Sequence, residues 1–389
     1  MPCPSNCNSS IHHALLVLIT CFVLSLQAAA AERHALLSPL GPVPQPADNP
    51  TTPAKVALGK QLFFDPRLGG DGSVSCASCH LPTAGWGFPA ALSMGYPGTI
   101  HWRNSHTIIN SAYYQKLFWT GSSKSLEAQA KSAAGGAVAG NGEADMMEAR
   151  LAFIPEYREQ FRQVFGDRWP RIAHAWWAIA AFERTLVQTD TPYDRWLQGD
   201  DSALSEAQQR GAELFMGKAK CIACHNGPLL SDEKYYNLGV PMAQDWESNG
   251  LAQITFRYEL YAKGSNEKMY RATKDDPGLY FRTKQSQDKG KFRTQSLRYT
   301  KYTAPYMHNG QLAKLKDVVD FYNRGGDSNE FDKNKSGLMT PLGLTDSEVS
   351  DLVVFIESMS GAPILMDFPK LPDYQTLPAP AELFTKASN

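Results

Sequence analysis

Two copies of one five-residue pattern constrain this chain more than any other feature: Cys76-Ala77-Ser78-Cys79-His80 and Cys221-Ile222-Ala223-Cys224-His225. Cys-x-x-Cys-His is the attachment signature of a c-type haem. Each thiol can close a thioether to a haem vinyl group, and the adjacent imidazole is then held under the iron as proximal ligand. The spacing is needed because two thiols and one imidazole must all reach a single rigid macrocycle. A Cys₄ zinc site drawn from the two Cys-x-x-Cys pairs is the competing use of the same thiols. It leaves both trailing histidines without a role.

The other cysteines fix the compartment. Cys3, Cys7 and Cys21 lie in an N-terminal stretch whose core, Ala14 to Leu26, is mostly apolar. Gln27 and four alanines follow, giving small-x-small cleavage sites near Ala30 or Ala31. The run is too short for an ordinary transmembrane helix. It departs from a typical secretory signal in having His12 and His13, but no Lys or Arg, before it. Residues 1–31 are therefore expected to be a signal peptide. Later segments are too polar to span a membrane. The mature chain keeps four cysteines, all in the two motifs, so no thiol remains for a disulfide. Two buried covalent haems would serve as the staple instead. Because haem is joined to such chains after export, the periplasm is the expected location. A formal net charge of -1 gives no basis for nucleic-acid binding.

The length leaves room for two domains, and the local patterns repeat. LGKQLFF precedes SCASCH, and RGAELFM precedes KCIACH. Each is helix, Gly, apolar pair, loop, motif, which reads as an internal duplication with a longer first loop. Pro53 after Thr51-Thr52 opens the first of these helices, with Val56, Leu58, Leu62 and Phe63 as its apolar set; Ser205 opens the second. The expected fold is mainly α: two cytochrome c-like domains, one covalent haem each, over 32–190 and 191–365, with a Pro-containing tail at 366–389. A Pro-rich irregular arm occupies 38–53, and a long helix covers 171–190. The small-residue stretch 132–142 and the polar, Gly-rich stretch 240–290 read as loops. No segment shows a run of alternating strands.

In five separated blocks, in order, the chain resembles the bacterial dihaem cytochrome c peroxidases and their MauG-like relatives. The blocks are LGKQLFFDPRLGGDGSVSCASCH, RNSHTIINSAYY with LFWTG, SLEAQA, RGAELFMGKAKCIACH, and FRTQSLRYTKYTAPYMHNG with VVDFYNRGG. The resemblance covers roughly residues 53 to 362 and implies two unequal haems. The N-terminal one, on His80, meets peroxide; the C-terminal one, on His225, relays electrons. In the peroxidases the relay iron's second ligand is a Met fourteen residues beyond the His of the YMH-type motif. Here that position is Tyr322, the residue type of the MauG-like branch, which includes the dihaem enzyme of methanobactin gene clusters. Leu315, Val318, Val319 and Tyr322 also share one helical face, which fits a core tyrosine as well as a ligand. Met307 is the competing ligand.

The resemblance assigns further roles. Gln129 matches a distal-pocket glutamine. Glu143 matches the catalytic glutamate after a four-residue insertion, with Glu127 as fallback, and its task would be to move a proton between the two peroxide oxygens. The displaceable distal His of the peroxidases is replaced by Tyr96, which implies an open first site, and a distal Pro by Ala133. Trp119 matches the tryptophan between the haems, although a packing role fits it too. Asn104, with the carbonyls of Thr303 and Pro305, matches a Ca²⁺ site bridging the domains. His106 stands where the family has Pro and reads as a surface or packing residue.

A hard, anionic Tyr ligand favours ferric and higher oxidation states. The implied activity is thus peroxide-driven formation of a high-valent dihaem state that oxidises a partner protein, at a Trp side chain, in the periplasm. The alternatives are reduction of hydrogen peroxide with electrons from a small cytochrome or cupredoxin, and a non-enzymatic dihaem electron carrier. The 240–290 stretch is the candidate for partner docking.

Overall fold

Helix α1 (Pro53–Phe64) starts where its caps require: Thr52 takes the Lys55 amide on its hydroxyl, and Pro53, with no amide hydrogen to lose, sits at the first helical position. Leu58, Leu62, Phe63 and Phe64 are buried on it. After a single short turn at Cys76–Ser78, four more helices complete the first unit: α2 (Leu126–Ala134), α3 (Ala144–Ala152), α4 (Pro155–Phe165) and α5 (Ile172–Glu183). The second unit uses α6 (Pro192–Leu197) and α7 (Glu206–Met216), the latter opened by a Ser205–Gln208 capping box. Its attachment turn is Cys221–Ala223. The computed structural model describes residues 36–96 and 98–374, so the expected signal sequence lies outside the described residues.

The duplicated Gly has a packing reason in both units. α1 crosses α5 at Gly59, where an added Cβ would stand 1.8 Å from the Ala178 carbonyl oxygen. The second unit repeats the crossing, with α7 meeting a later helix at Gly211, where a Cβ would stand 2.2 Å from Asp351 O. Only Gly admits such close backbone approach.

The 240–290 stretch is not a loop. It holds α8 (Gly250–Ala262), α9 (Glu267–Ala272) and α10 (Tyr280–Thr283). Ala252, Phe256 and Leu260 of α8 form a small core with Trp246, Met269 and Phe281. Leu251, Ile254, Tyr258 and Tyr261 are exposed on the same helix. Apolar residues on both sides erase the periodicity that would have marked it. A buried ion pair, Arg103 to Asp276, ties this region back to the first half of the chain.

Helices α11 (Leu315–Asn323) and α12 (Asp346–Ser358) close the second core around Phe215, Val319, Leu352 and Phe355. Among the described residues, sheet is limited to two antiparallel pairs: β1 (Met94–Gly95) with β2 (Thr99–Ile100), and β3 (Tyr235–Tyr236) with β4 (Phe292–Arg293). Helix accounts for 43% of the structure.

The long helix expected over 171–190 stops earlier. Beyond Arg184 the Thr185 hydroxyl turns back onto Phe182 O at 2.7 Å, a local bond that competes with helix continuation. The ends of the described chain cross over. Leu37 lies in the second core and Arg298 donates to Ser38 O. Ile364, Met366 and Leu371 pack on the first, where Arg67 donates to Pro372 O at 2.8 Å.

Candidate functional site

At the first motif the chain folds into one turn capped by Ser75 and Ser78. His80 Nδ1 lies 3.1 Å from Trp86 O. That contact selects the tautomer with the proton on Nδ1 and leaves Nε2 as a lone-pair donor. Burial lowers the His80 pKa, so the imidazole is neutral and able to ligate. The Cys76 thiol is pushed up to about 12, by burial first and the Glu183 carboxylate second. Phe63, Phe64, Trp86 and Phe182 pack edge-on and tilted behind the motif, with ring centroids 5.4–6.5 Å apart. Trp86 Nε1 donates to Ile364 O at 2.7 Å, so the C-terminal segment helps hold the residue whose carbonyl meets His80.

The second motif repeats the device. His225 Nδ1 lies 3.0 Å from Leu230 O, and burial lowers its pKa. This motif opens on a cavity of about 490 Å³, within the roughly 300–1,000 Å³ of cofactor pockets. Cys221, Cys224, His225 and Tyr322 stand in its wall. So do Leu315, Val318 and Val319, the face of α11 that carries Tyr322. Burial, with the two thiols, raises the Tyr322 phenol above its ordinary pKa. Met307 shares the wall, with its backbone at φ +73°. Thiols, a neutral imidazole and an apolar, ring-sized space are what a covalently held haem needs.

Trp119 stands in the wall of this cavity. Its Nε1 donates to Asn104 O at 2.8 Å. Its ring meets His106 at 5.3 Å and His308 and Phe292 at 6.4 Å, all edge-on. His308 stacks flat on Phe292 at 3.9 Å. Burial, then the Arg293 guanidinium, pushes the His106 pKa down to about 3. His106 is therefore not a surface residue: it is a neutral imidazole lining the cavity beside Trp119. Asn104, Thr303 and Pro305 share that wall. The Asn104 amide nitrogen donates to Ala91 O at 3.1 Å, and its backbone N–H donates to His308 O at 2.7 Å.

The polar residues assigned to peroxide handling lie on α2 and at the start of α3. Gln129 is half-buried on α2, and Tyr96 is half-buried nearby in sequence to the first motif. Glu143 is the N-cap residue of α3, exposed, with no capping bond from its side chain. The small-residue loop before it packs by backbone: Tyr96 N donates to Ala139 O at 2.8 Å, and a Cβ on Gly95 would stand 2.0 Å from Val138 O. Glu127 is held differently. Burial alone would raise it, but hydrogen bonds from Asn49 and Arg184 outweigh burial and hold the carboxyl below its usual range.

Two residues beside the motifs were given no role by sequence reasoning, although Arg293 lies in the block FRTQSLRYTKYTAPYMHNG. Glu183 ends α5, buried, with Oε2 unpartnered and its pKa raised to about 8 by burial. Arg293, on β4, is buried in the cavity wall.

This chain, with two such motifs on a mainly helical frame, belongs to the di-haem cytochrome c peroxidase family, whose profile matches residues 53–202. It is a peroxide-dependent di-haem oxidoreductase. Among its relatives, cytochrome-c peroxidase IdrP1 of Denitromonas iodatirespirans is 57% identical over 372 residues, 95% of this chain and 98% of that protein. The methylamine utilization protein MauG of Methylorubrum extorquens is 36% identical, covering 85% of each chain. Among solved structures, a MauG-like protein associated with microbial copper homeostasis superimposes with a TM-score of 0.69 at 29% identity, over 82% of this chain and 93% of that one.

Proposed function

We propose that this chain reduces hydrogen peroxide to water in the periplasm, with electrons delivered to the second motif by a small redox protein: H₂O₂ + 2 H⁺ + 2 e⁻ → 2 H₂O. The observation that carries this reading is the 57% identity, across nearly the whole chain, to a protein named as a cytochrome-c peroxidase. Two bound haems would supply the redox chemistry. The chain's own part is to hold, orient and protonate. His80 and His225 each commit Nδ1 to a backbone carbonyl and keep Nε2 for iron. Gln129 orients peroxide at the first site. Glu143 moves the proton between the peroxide oxygens. It suits that task better than Glu127, whose charge is engaged by Arg184. Trp119 passes electrons between the sites. Tyr322 would be a further protein ligand for the haem held by His225, and Asn104 with the carbonyls of Thr303 and Pro305 would hold a Ca²⁺. These donors are neutral, which makes for a weak Ca²⁺ site. The donor protein docks on the 240–290 region, where Leu251, Ile254, Tyr258 and Tyr261 present apolar surface.

Tyr322 supports a second reading, in which peroxide instead drives oxidation of a Trp on a partner protein. A Tyr in that cavity, where a thioether would favour ferrous iron, suits a site that works from the ferric state. One experiment separates the two. Fully ferric and half-reduced enzyme are mixed with micromolar peroxide, with and without a reduced small cytochrome. Turnover of the cytochrome supports the peroxidase reading. A spectral response of ferric enzyme, with oxygen mass gained on a partner Trp and no cytochrome turnover, supports the other. No spectral response to peroxide in either state would overturn both.

A further inference from the structure

Four arginines are buried among the described residues: Arg103, Arg184, Arg293 and Arg298. Three have carboxylate partners. Arg103 pairs with Asp276, Arg184 with Glu127, and Arg298 with Asp194. Arg293 is 2% exposed, and its contacts are all to neutral groups. Nε donates to Phe118 O at 3.4 Å, Nη1 to Thr294 O at 3.2 Å and Nη2 to Gln295 Oε1 at 3.1 Å. The guanidinium lies 4.1 Å from the centre of the Tyr114 ring. These are long bonds for a charged donor, and they use three of the five N–H groups. A buried cation with no counter-charge is expensive, by several kcal/mol in real proteins. A fold that keeps one has an anion to place against it.

The site indicates which anion. Arg293 lines the cavity that holds Cys221, Cys224 and His225. Thioethers to the two cysteines would fix the vinyl edge of a macrocycle there. The carboxylate-bearing edge, with the two propionates, must then meet another part of the wall. We infer that Arg293 is the anchor for a propionate of the haem at the second motif, with its guanidinium fork taking the carboxylate. Its main-chain N–H donates to Trp119 O at 2.9 Å, so the same residue ties the propionate to the Trp119 backbone. Arg293 is a positioning residue in this role. It compensates a charge on the cofactor and fixes the macrocycle's orientation relative to Trp119.

The inference rests on haem binding at both motifs, and a mass measurement of two attached haems checks that separately. The test uses the loaded enzyme, with Arg293→Gln and Arg293→Lys. In Arg293→Gln the propionate bending band of the resonance Raman spectrum should shift, and the midpoint potential of one haem should fall, because a carboxylate is left uncompensated. Arg293→Lys keeps the charge but loses the fork, so the band should shift by less and the potential should stay near wild type. An unshifted propionate band in both variants would overturn the assignment. So would a fallen potential with an unshifted band, which is the signature of a lone cation acting through space. If Arg293→Gln does not load two haems, the band in Arg293→Lys decides alone.

Discussion

The two attachment motifs are near copies in sequence and local shape, yet the protein sets different ionisable groups beside them: an acid that burial keeps protonated, and a guanidinium. Each is one short turn, and each histidine gives Nδ1 to a carbonyl five or six residues on. Behind the first lies Glu183, a buried acid with an unpartnered oxygen. Beside the second lies Arg293, a buried base with no acid. Neither group is encoded in the five-residue motif. Attachment is therefore a local property that duplication copies intact, whereas the working difference between two haems comes from distant segments that duplication leaves free to diverge.

The largest expected effect comes from removing the phenol oxygen of Tyr322, which stands in the wall of the second motif's cavity. With Tyr322→Phe, the second haem should become five-coordinate or recruit Met307 from the same wall, and its low-spin signal should be lost or altered in electron paramagnetic resonance and absorption spectra. The first haem should be unaffected. An unaltered low-spin signal would remove Tyr322 from the coordination sphere and with it the main asymmetry in ligation.

The shared part of the comparison is testable through the two crossing glycines. Gly59→Ala and Gly211→Ala each drive a Cβ into a backbone oxygen, at 1.8 and 2.2 Å. Backbone atoms cannot turn aside as a long side chain can, so each variant should lose roughly 3 kcal/mol or more, with Gly59→Ala the worse. Denaturant unfolding of the two-haem protein measures both. Equal stability to wild type in either would mean that the helix pairs do not cross as tightly as the duplicated glycines imply.

Much of this was legible in the sequence, and the rest was hidden for identifiable reasons. Thr52-Pro53 and Ser205 mark helix starts because capping is a local event. The motifs, and the face carrying Leu315, Val318, Val319 and Tyr322, could be read from spacing alone. Helix α8 escaped because Leu251, Ile254, Tyr258 and Tyr261 are apolar and exposed, so burial and hydropathy part company. The roles of Glu183 and Arg293 escaped because only three-dimensional packing reveals an unpartnered Glu183 oxygen and a buried Arg293 whose contacts are all to neutral groups. The crossing of the chain ends, with Leu37 on the second core and Ile364 on the first, has no local signature.

The smallest effect concerns Glu183 and is read through pH. Its carboxyl is raised to about 8 from an ordinary 4.5, chiefly by burial, with Glu127 adding and Arg184 opposing. Between those two values the folded state keeps a proton that the unfolded state has released. Stability therefore falls as pH rises from about 4.5 toward about 8 and is level above it, because the native state binds more protons across that window. Glu183→Gln removes the titration while keeping the shape. Its stability relative to wild type should thus climb steadily from pH 5 to pH 8, by roughly 3–4 kcal/mol. The same substitution bears on the contrast between the sites. In wild type, ionisation of Glu183 near Cys76 should lower the first haem's midpoint potential as pH passes 8, with little change at the second. In Glu183→Gln that pH dependence should vanish. If both potentials move together in wild type, or if the variant's stability gain is the same at pH 5 and pH 8, the buried acid does not distinguish the first site, and the contrast rests on Arg293 alone.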